Sequence, residues 1–142
     1  MNQFLEEIFS QSLVLKNVYE YIKECCRDQF LKIHNYCKKE QISHFIFSGM
    51  GSSNFCAYIP YYFLTRNGIS AEIRESGEFL YYSFSEKDED YFKHKIIILI
   101  SQSGESGEIV ELINKIKKLK HKPKIIGLTN QSKSDLGQHS DF

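Results

Sequence analysis

The sequence predicts an α/β domain of three layers, a parallel sheet with helices on both faces, preceded by a helical arm. Three observations carry this. Lys95–Ile100 is a continuous run of Ile and Leu after its lysine, the composition of a strand covered on both faces, as in parallel sheets. Two stretches run strand, small-residue loop, helix. Ahead of them, apolar residues recur at spacings of three and four.

The helical spacing joins Leu15, Val18, Tyr19, Ile22, Cys26, Phe30, Ile33 and Cys37, so residues 1–40 read as one long amphipathic helix or two consecutive ones. Residues 44–48 form a short β-prone run ending in Gly49-Met50-Gly51-Ser52-Ser53, and residues 55–64 continue at helical spacing. Gly68 suits a left-handed cap, and residues 71–74 read as a second strand. Residues 76–83 are ambiguous. Residues 86–90, Glu-Lys-Asp-Glu-Asp, carry dense mixed charge and no apolar side chain, and read as an exposed connection.

Lys95–Ile100 is the expected centre of the sheet. It runs into Ser101-Gln102-Ser103-Gly104-Glu105-Ser106. After that loop Ile109, Leu112, Ile113, Ile116 and Leu119 trace one face of a helix reaching about Lys120. Residues 125–128 are a further strand. Strands alternating with helices imply right-handed crossovers and an open sheet. Ser140-Asp141-Phe142 stand where another strand would begin, so the chain is expected to be part of a longer protein. The organisation expected is an arm over 1–40 and a domain over 41–142.

With 142 residues and 42% hydrophobic content, the chain can bury a core without metals or cross-links. Lys+Arg 18 balances Asp+Glu 18, leaving no overall field to attract nucleic acid or an anionic membrane. Cys25, Cys26, Cys37 and Cys56 contain no Cys-x-x-Cys spacing, and free, mostly buried thiols are expected. His34, His44, His94, His121 and His139 are scattered with no metal spacing. Glu6 and Glu7 stand where a signal peptide carries basic residues, and no apolar run is long enough to cross a bilayer, so a cytosolic protein is expected.

In open parallel sheets, ligands bind where strand carboxyl ends lead into helix amino termini. In residues 101–106 three serines supply hydroxyls, Gly104 permits close backbone approach, and the following helix offers unpaired amides with a partial positive charge. A phosphate is the natural guest. No Lys or Arg lies in the loop and no Gly-x-x-x-x-Gly-Lys occurs, which suits a metabolite monoester better than a nucleotide triphosphate. A serine-rich turn with Ser103 or Ser106 as helix cap would explain one hydroxyl but not three and a glycine. The second loop, with Gly51, Ser52 and Ser53, could reach the same ligand from a neighbouring strand. It also begins like a dinucleotide fingerprint, with Glu72 or Glu75 near the place of a ribose-binding acid, but Asn54 replaces the third glycine.

A strand ending in Gly-Met-Gly-Ser-Ser, followed later by Ile-Leu-Ile-Ser-Gln-Ser-Gly-Glu-Ser, resembles the sugar isomerase (SIS) domain. The lead-in Phe4-Leu5-Glu6-Glu7-Ile8 with Gln11-Ser12 is similar to that of the isomerase half of glucosamine-6-phosphate synthase and its relatives, which usually have proline where Ser12 stands. The resemblance implies a five-stranded flavodoxin-like sheet. It also implies that Ser101, Gln102, Ser103 and Ser106 bind the phosphate of a hexose 6-phosphate or amino-sugar phosphate, with Gly51, Ser52, Ser53 and Gly104 helping. Ser106 replaces the common threonine.

Relatives often pair two such domains and dimerise, so a homodimer or a second domain downstream is expected. In two-domain relatives the base, the ring-opening histidine and a key lysine lie outside the first domain. No catalytic residue is therefore assigned here beyond Glu78, which matches a position near the substrate in some relatives and otherwise reads as a helix-start acid. No cofactor and no metal are expected. The functions implied are the amino-terminal half of a phosphosugar isomerase, deaminase or deglycase, or a non-catalytic sugar-phosphate sensor. A dinucleotide-binding domain built on the Gly49 loop is a third reading.

Overall fold

The computed structural model describes residues 2–84 and 90–142. Two compact units are formed, Met1–Lys39 and Glu40–Phe142. The first consists of α1 (Gln3–Cys25) and α2 (Arg27–Lys39). Asn2 starts α1 by accepting the Phe4 amide on its side chain. No residue of either helix is buried, and Phe4, Phe9 and Leu15 are 65%, 72% and 70% exposed.

The second unit is the α/β domain. Its strands β1 (His44–Gly49), β2 (Ser70–Glu75), β3 (Lys95–Ile100) and β4 (Lys124–Leu128) are all parallel, in the order β2-β1-β3-β4. This is the beginning of the flavodoxin-like order, with the strand reversal between β1 and β3. The resemblance implies five strands, and four are formed among the described residues. Ser140, Asp141 and Phe142 follow the outer edge of β4, where the Asp141 amide donates to Ile125 (2.8 Å) and the Gly127 amide to Phe142 (2.9 Å).

The Ile and Leu of β3 and their β1 neighbours alternate between two cores. On one face Ile46, Ile97 and Leu99 pack with Phe79, Leu80, Phe92, Ile109, Leu112, Ile113 and Ile116. On the other, Phe47 and Ile98 pack with Ala57. Burying each large apolar side chain contributes roughly 1.5–3 kcal/mol, so the central strands supply much of the stability. Lys95–Ile100 occupies the interior position expected of it, beside β1.

Four local expectations change. The single helix expected over 55–64 is split into α3 (Ser52–Cys56) and α4 (Tyr58–Arg66). Pro60 lies in the first turn of α4 and has no N–H to give the Cys56 carbonyl, so the helix restarts there. The ambiguous residues 76–83 are helical, as α5 (Ser76–Glu78) continuing into the π-helical turn Phe79–Ser83. α6 (Gly107–Lys118) stops short of Lys120, at a buried Leu119. The cysteines are free but not mostly buried: Cys25 and Cys56 are exposed, Cys26 and Cys37 half-buried. Three belong to helices that bury nothing or to the link between them, and Cys56 ends α3 on its exposed side beside Phe55. Partial burial pushes the Cys37 thiol above its usual range, against a smaller lowering by a backbone hydrogen bond.

Gly68 behaves as expected, at φ 76° after α4. The Ile69 amide donates to Leu64 and the Gly68 amide to Thr65, the paired bonds of a Schellman end. Residues 86–89 of the charged connection lie outside the described residues. Asp90, its last residue, is exposed and pairs with Lys93 at 2.6 Å. α7 (Asp135–His139), which no periodicity announced, follows β4 and precedes the residues that return along that strand. Among the described residues no helix is long and apolar enough to cross a membrane.

Candidate functional site at the carboxyl ends of β1 and β3

β1 and β3 are adjacent and in register from His44 and Lys95 to Gly49 and Ile100, so the loops after them open side by side at the strand reversal. Gly49 allows this closeness. A Cβ there would meet the Asn54 amide and the Ile100 carbonyl at 3.0 Å each. The turn continues through Gly51, at φ 50°, into α3, with Ser52 exposed and Ser53 half-buried.

The loop after β3 folds around its own serines. The Gly104 amide donates to Ser101 Oγ (3.1 Å), and the Glu105 amide donates to Ser103 Oγ (3.2 Å). Ser101 Oγ lies 3.2 Å from Ser106 Oγ. Ser101 is 4% exposed, so its hydroxyl shapes the loop from inside. Gln102 and Ser103 are exposed and Ser106 is half-buried. Gly104 sits at φ 70°, a conformation that any other residue adopts at a cost.

Ser106 holds the cap position of α6, yet no side chain caps that helix and the Ser106 hydroxyl turns to Ser101 instead. The cap role that would account for one serine is thus not the one it plays. The first-turn amides of this twelve-residue helix, with their partial positive charge, receive no side-chain cap among the described residues. With Ser101 donating to Ser106, the chain from Gly104 N–H through Ser101 leaves the Ser106 proton to be given outward. The arrangement can supply several neutral donors to one anion, which is the chemistry of a monoester phosphate cradle.

Glu78 is exposed at the start of the helical segment after β2, and its amide donates to Glu75 Oε2 at 3.0 Å. Glu75 faces Gly49 across the β1–β2 pair. Two side-chain oxygens in this region, Glu75 Oε1 and Asn54 Oδ1, are buried without a partner among the described residues. Sequence reasoning considered Glu75 only as a ribose acid and Asn54 only as a departure from a glycine pattern. Their buried state is a property of packing that spacing does not report.

Glu72, the other acid considered for a ribose, is engaged. It accepts from Arg74 Nη2 (2.8 Å) and the Tyr91 hydroxyl (2.9 Å), with His44 Nε2 at 3.5 Å. Burial raises its carboxyl, but the bonds from Arg74 and Tyr91 and the charges of Arg74 and His44 outweigh this and hold it below the ordinary carboxylate range. His94 bonds the Glu40 carbonyl and His139 lies beside Asp135. No group of three His, Cys, Asp or Glu among the described residues could hold a metal.

The fold is a doubly wound α/β domain in which the loops after β1 and β3 lie side by side at the strand reversal. Residues 40–142 match the SIS domain, and the chain belongs to that family. No curated protein sequence matches it. The fold is similar to the C-terminal domain of glucosamine-fructose-6-phosphate aminotransferase from Francisella tularensis, with 21% identity and a TM-score of 0.61 over 72% of this chain and 27% of that one. It is also similar to tagatose-6-phosphate ketose/aldose isomerase from Escherichia coli, with 15% identity and a TM-score of 0.67 over 84% and 32%. A third likeness is c3406 of E. coli CFT073, solved in complex with a ligand, with 23% identity and a TM-score of 0.63 over 100% and 73%. The chain thus spans about a third or less of the first two proteins and about three quarters of the third.

Proposed function

We propose that the domain binds a sugar phosphate, a hexose 6-phosphate or an amino-sugar phosphate, as the amino-terminal part of a phosphosugar isomerase, deaminase or deglycase. Gln102, Ser103 and Ser106 hold the phosphate on a loop that Ser101 and Gly104 shape from inside, and Gly51, Ser52 and Ser53 meet the sugar from the neighbouring loop. The uncapped amino terminus of α6, opening beside exposed Gln102 and Ser103, is the observation that carries this reading. Membership of the SIS family and likeness in fold to phosphosugar isomerases support it. Calorimetric titration of the chain tests it. Fructose 6-phosphate should bind saturably while fructose does not, and equal binding of the two, or none of either, would contradict the reading.

Aldose–ketose interconversion needs a base that moves a proton between adjacent carbons. Glu78 is the one acid offered for such a task here, and the chain alone should hold its ligand without turnover in a coupled isomerase assay. The exposed apolar residues of α1, among them Phe4, Phe9 and Leu15, favour a homodimer in which a second copy covers them.

A further inference from the structure

The proposed phosphate loop is fastened from behind, and one of its fasteners is a carboxylate. The Ser101 amide donates to Leu128 (3.0 Å). The Gln102 carbonyl accepts from the Asn130 amide (3.1 Å) and Thr129 Oγ1 (3.2 Å), and the Gly104 carbonyl accepts from the Leu136 amide (3.1 Å). Glu105 Oε1 accepts from the Asp135 amide at 3.0 Å. Ser134, 3% exposed, caps α7 through Gly137 and anchors its own hydroxyl on the Gln131 carbonyl. Residues 129–136 thus form the wall against which the loop is set.

A trans peptide is planar, so a carbonyl and the next N–H point in opposite directions. Drawing the Gln102 and Gly104 carbonyls back to this wall turns the Ser103 and Glu105 N–H groups away from it, the Ser103 N–H toward the open side of the loop and the Glu105 N–H onto Ser103 Oγ (3.2 Å), which fixes that hydroxyl. An acidic residue beside a proposed anion site ought to weaken that site. Glu105 instead spends its carboxylate on the first amide of α7, where a negative charge is favourable.

We infer that Glu105 is a positioning residue for the phosphate loop, latching it to the amino end of α7 so that the Ser103 amide and hydroxyl face the ligand. The inference rests on the phosphosugar reading for its consequence, but the latch itself can be observed separately. A latch and a bare charge predict opposite signs. Glu105→Gln keeps the acceptor and removes the charge, while Glu105→Ala removes both.

In calorimetric titration with fructose 6-phosphate, Glu105→Ala should bind about tenfold or more weakly than wild type, and Glu105→Gln within about twofold of it. Equal tightening in both variants would mean that only the charge matters and would overturn the inference. Amide hydrogen exchange of the full chain gives the second readout. The Asp135 amide should exchange faster in Glu105→Ala and at the wild-type rate in Glu105→Gln. Unchanged exchange in Glu105→Ala would overturn the latch whatever the ligand result. If wild type failed to bind fructose 6-phosphate and inorganic phosphate, the proposed function would fall, and faster Asp135 exchange in Glu105→Ala would still support the latch.

Discussion

A Cβ placed on Gly104 would lie 2.6 Å from Cβ of Ser134 and 2.9 Å from Thr129 Oγ1, so the 101–106 loop and the segment before α7 are matched at a position only glycine can fill. Gly104 also has φ 70°. Gly104→Ala would combine a left-handed strain of about 1–2 kcal/mol with overpacking of about 1–3 kcal/mol. We expect a loss of about 2–5 kcal/mol in urea unfolding, the sum of those ranges, together with loss of phosphosugar binding. A variant as stable as wild type would show that the loop and Ser134 are not packed as described.

The serines should separate by role. Ser103→Ala and Ser106→Ala each remove a donor to a charged group and should weaken fructose 6-phosphate binding by about 1–3 kcal/mol with little change in stability. Ser101→Ala leaves the buried Gly104 amide without its acceptor, and should cost about 1–3 kcal/mol of stability as well. Calorimetry and denaturant titration on the same three variants check the pattern. Uniform effects across them would contradict it.

Glu72 gives a pH dependence. Its carboxyl is partly buried, which by itself raises its affinity for a proton, but Arg74 and Tyr91 hold it below the ordinary range. The folded state therefore binds that proton less readily than the unfolded one. Its contribution is fully present above the unfolded value and lost as pH falls through the folded one. Unfolding measured from neutral to acidic pH should show stability falling below the ordinary carboxylate range, with a smaller fall in Glu72→Gln. An identical pH slope in the two proteins would remove Glu72 from the account.

The arm yields a test of assembly. Phe9 and Leu15 are 72% and 70% exposed, so charged substitutions there should leave the fold intact. If a second copy covers them, Phe9→Asp with Leu15→Asp should convert a dimer into a monomer in sedimentation equilibrium. A wild-type chain that is monomeric at high micromolar concentration would contradict the dimer.

Much of this architecture was legible because its signals are local. Ile96 through Ile100 carry the composition of a strand buried on both faces, and Gly68 suits a left-handed helix end. The split of the helix at Ala57 was missed because the apolar spacing over 55–64 is continuous and does not register Pro60. α7 was missed because five residues are too few to show a period.

At the site, composition pointed to residues 101–106, but their unequal roles came from packing. Ser101 is interior and Ser103 exterior although the two read alike. The contacts of Glu105 with Asp135 and of Gly104 with Ser134 join residues about thirty apart in the chain, and no spacing rule reaches that far.

The most direct measurement is an amide NMR titration of the isotope-labelled chain with fructose 6-phosphate. We expect saturable shifts concentrated at Gln102, Ser103, Gly104, Glu105, Gly107 and Glu108, with smaller ones at Gly51, Ser52 and Ser53. Resonances of the 101–108 region that stay in place at saturating ligand, or that ignore the sugar phosphate while those near Gly49 respond to NAD, would contradict the central claim.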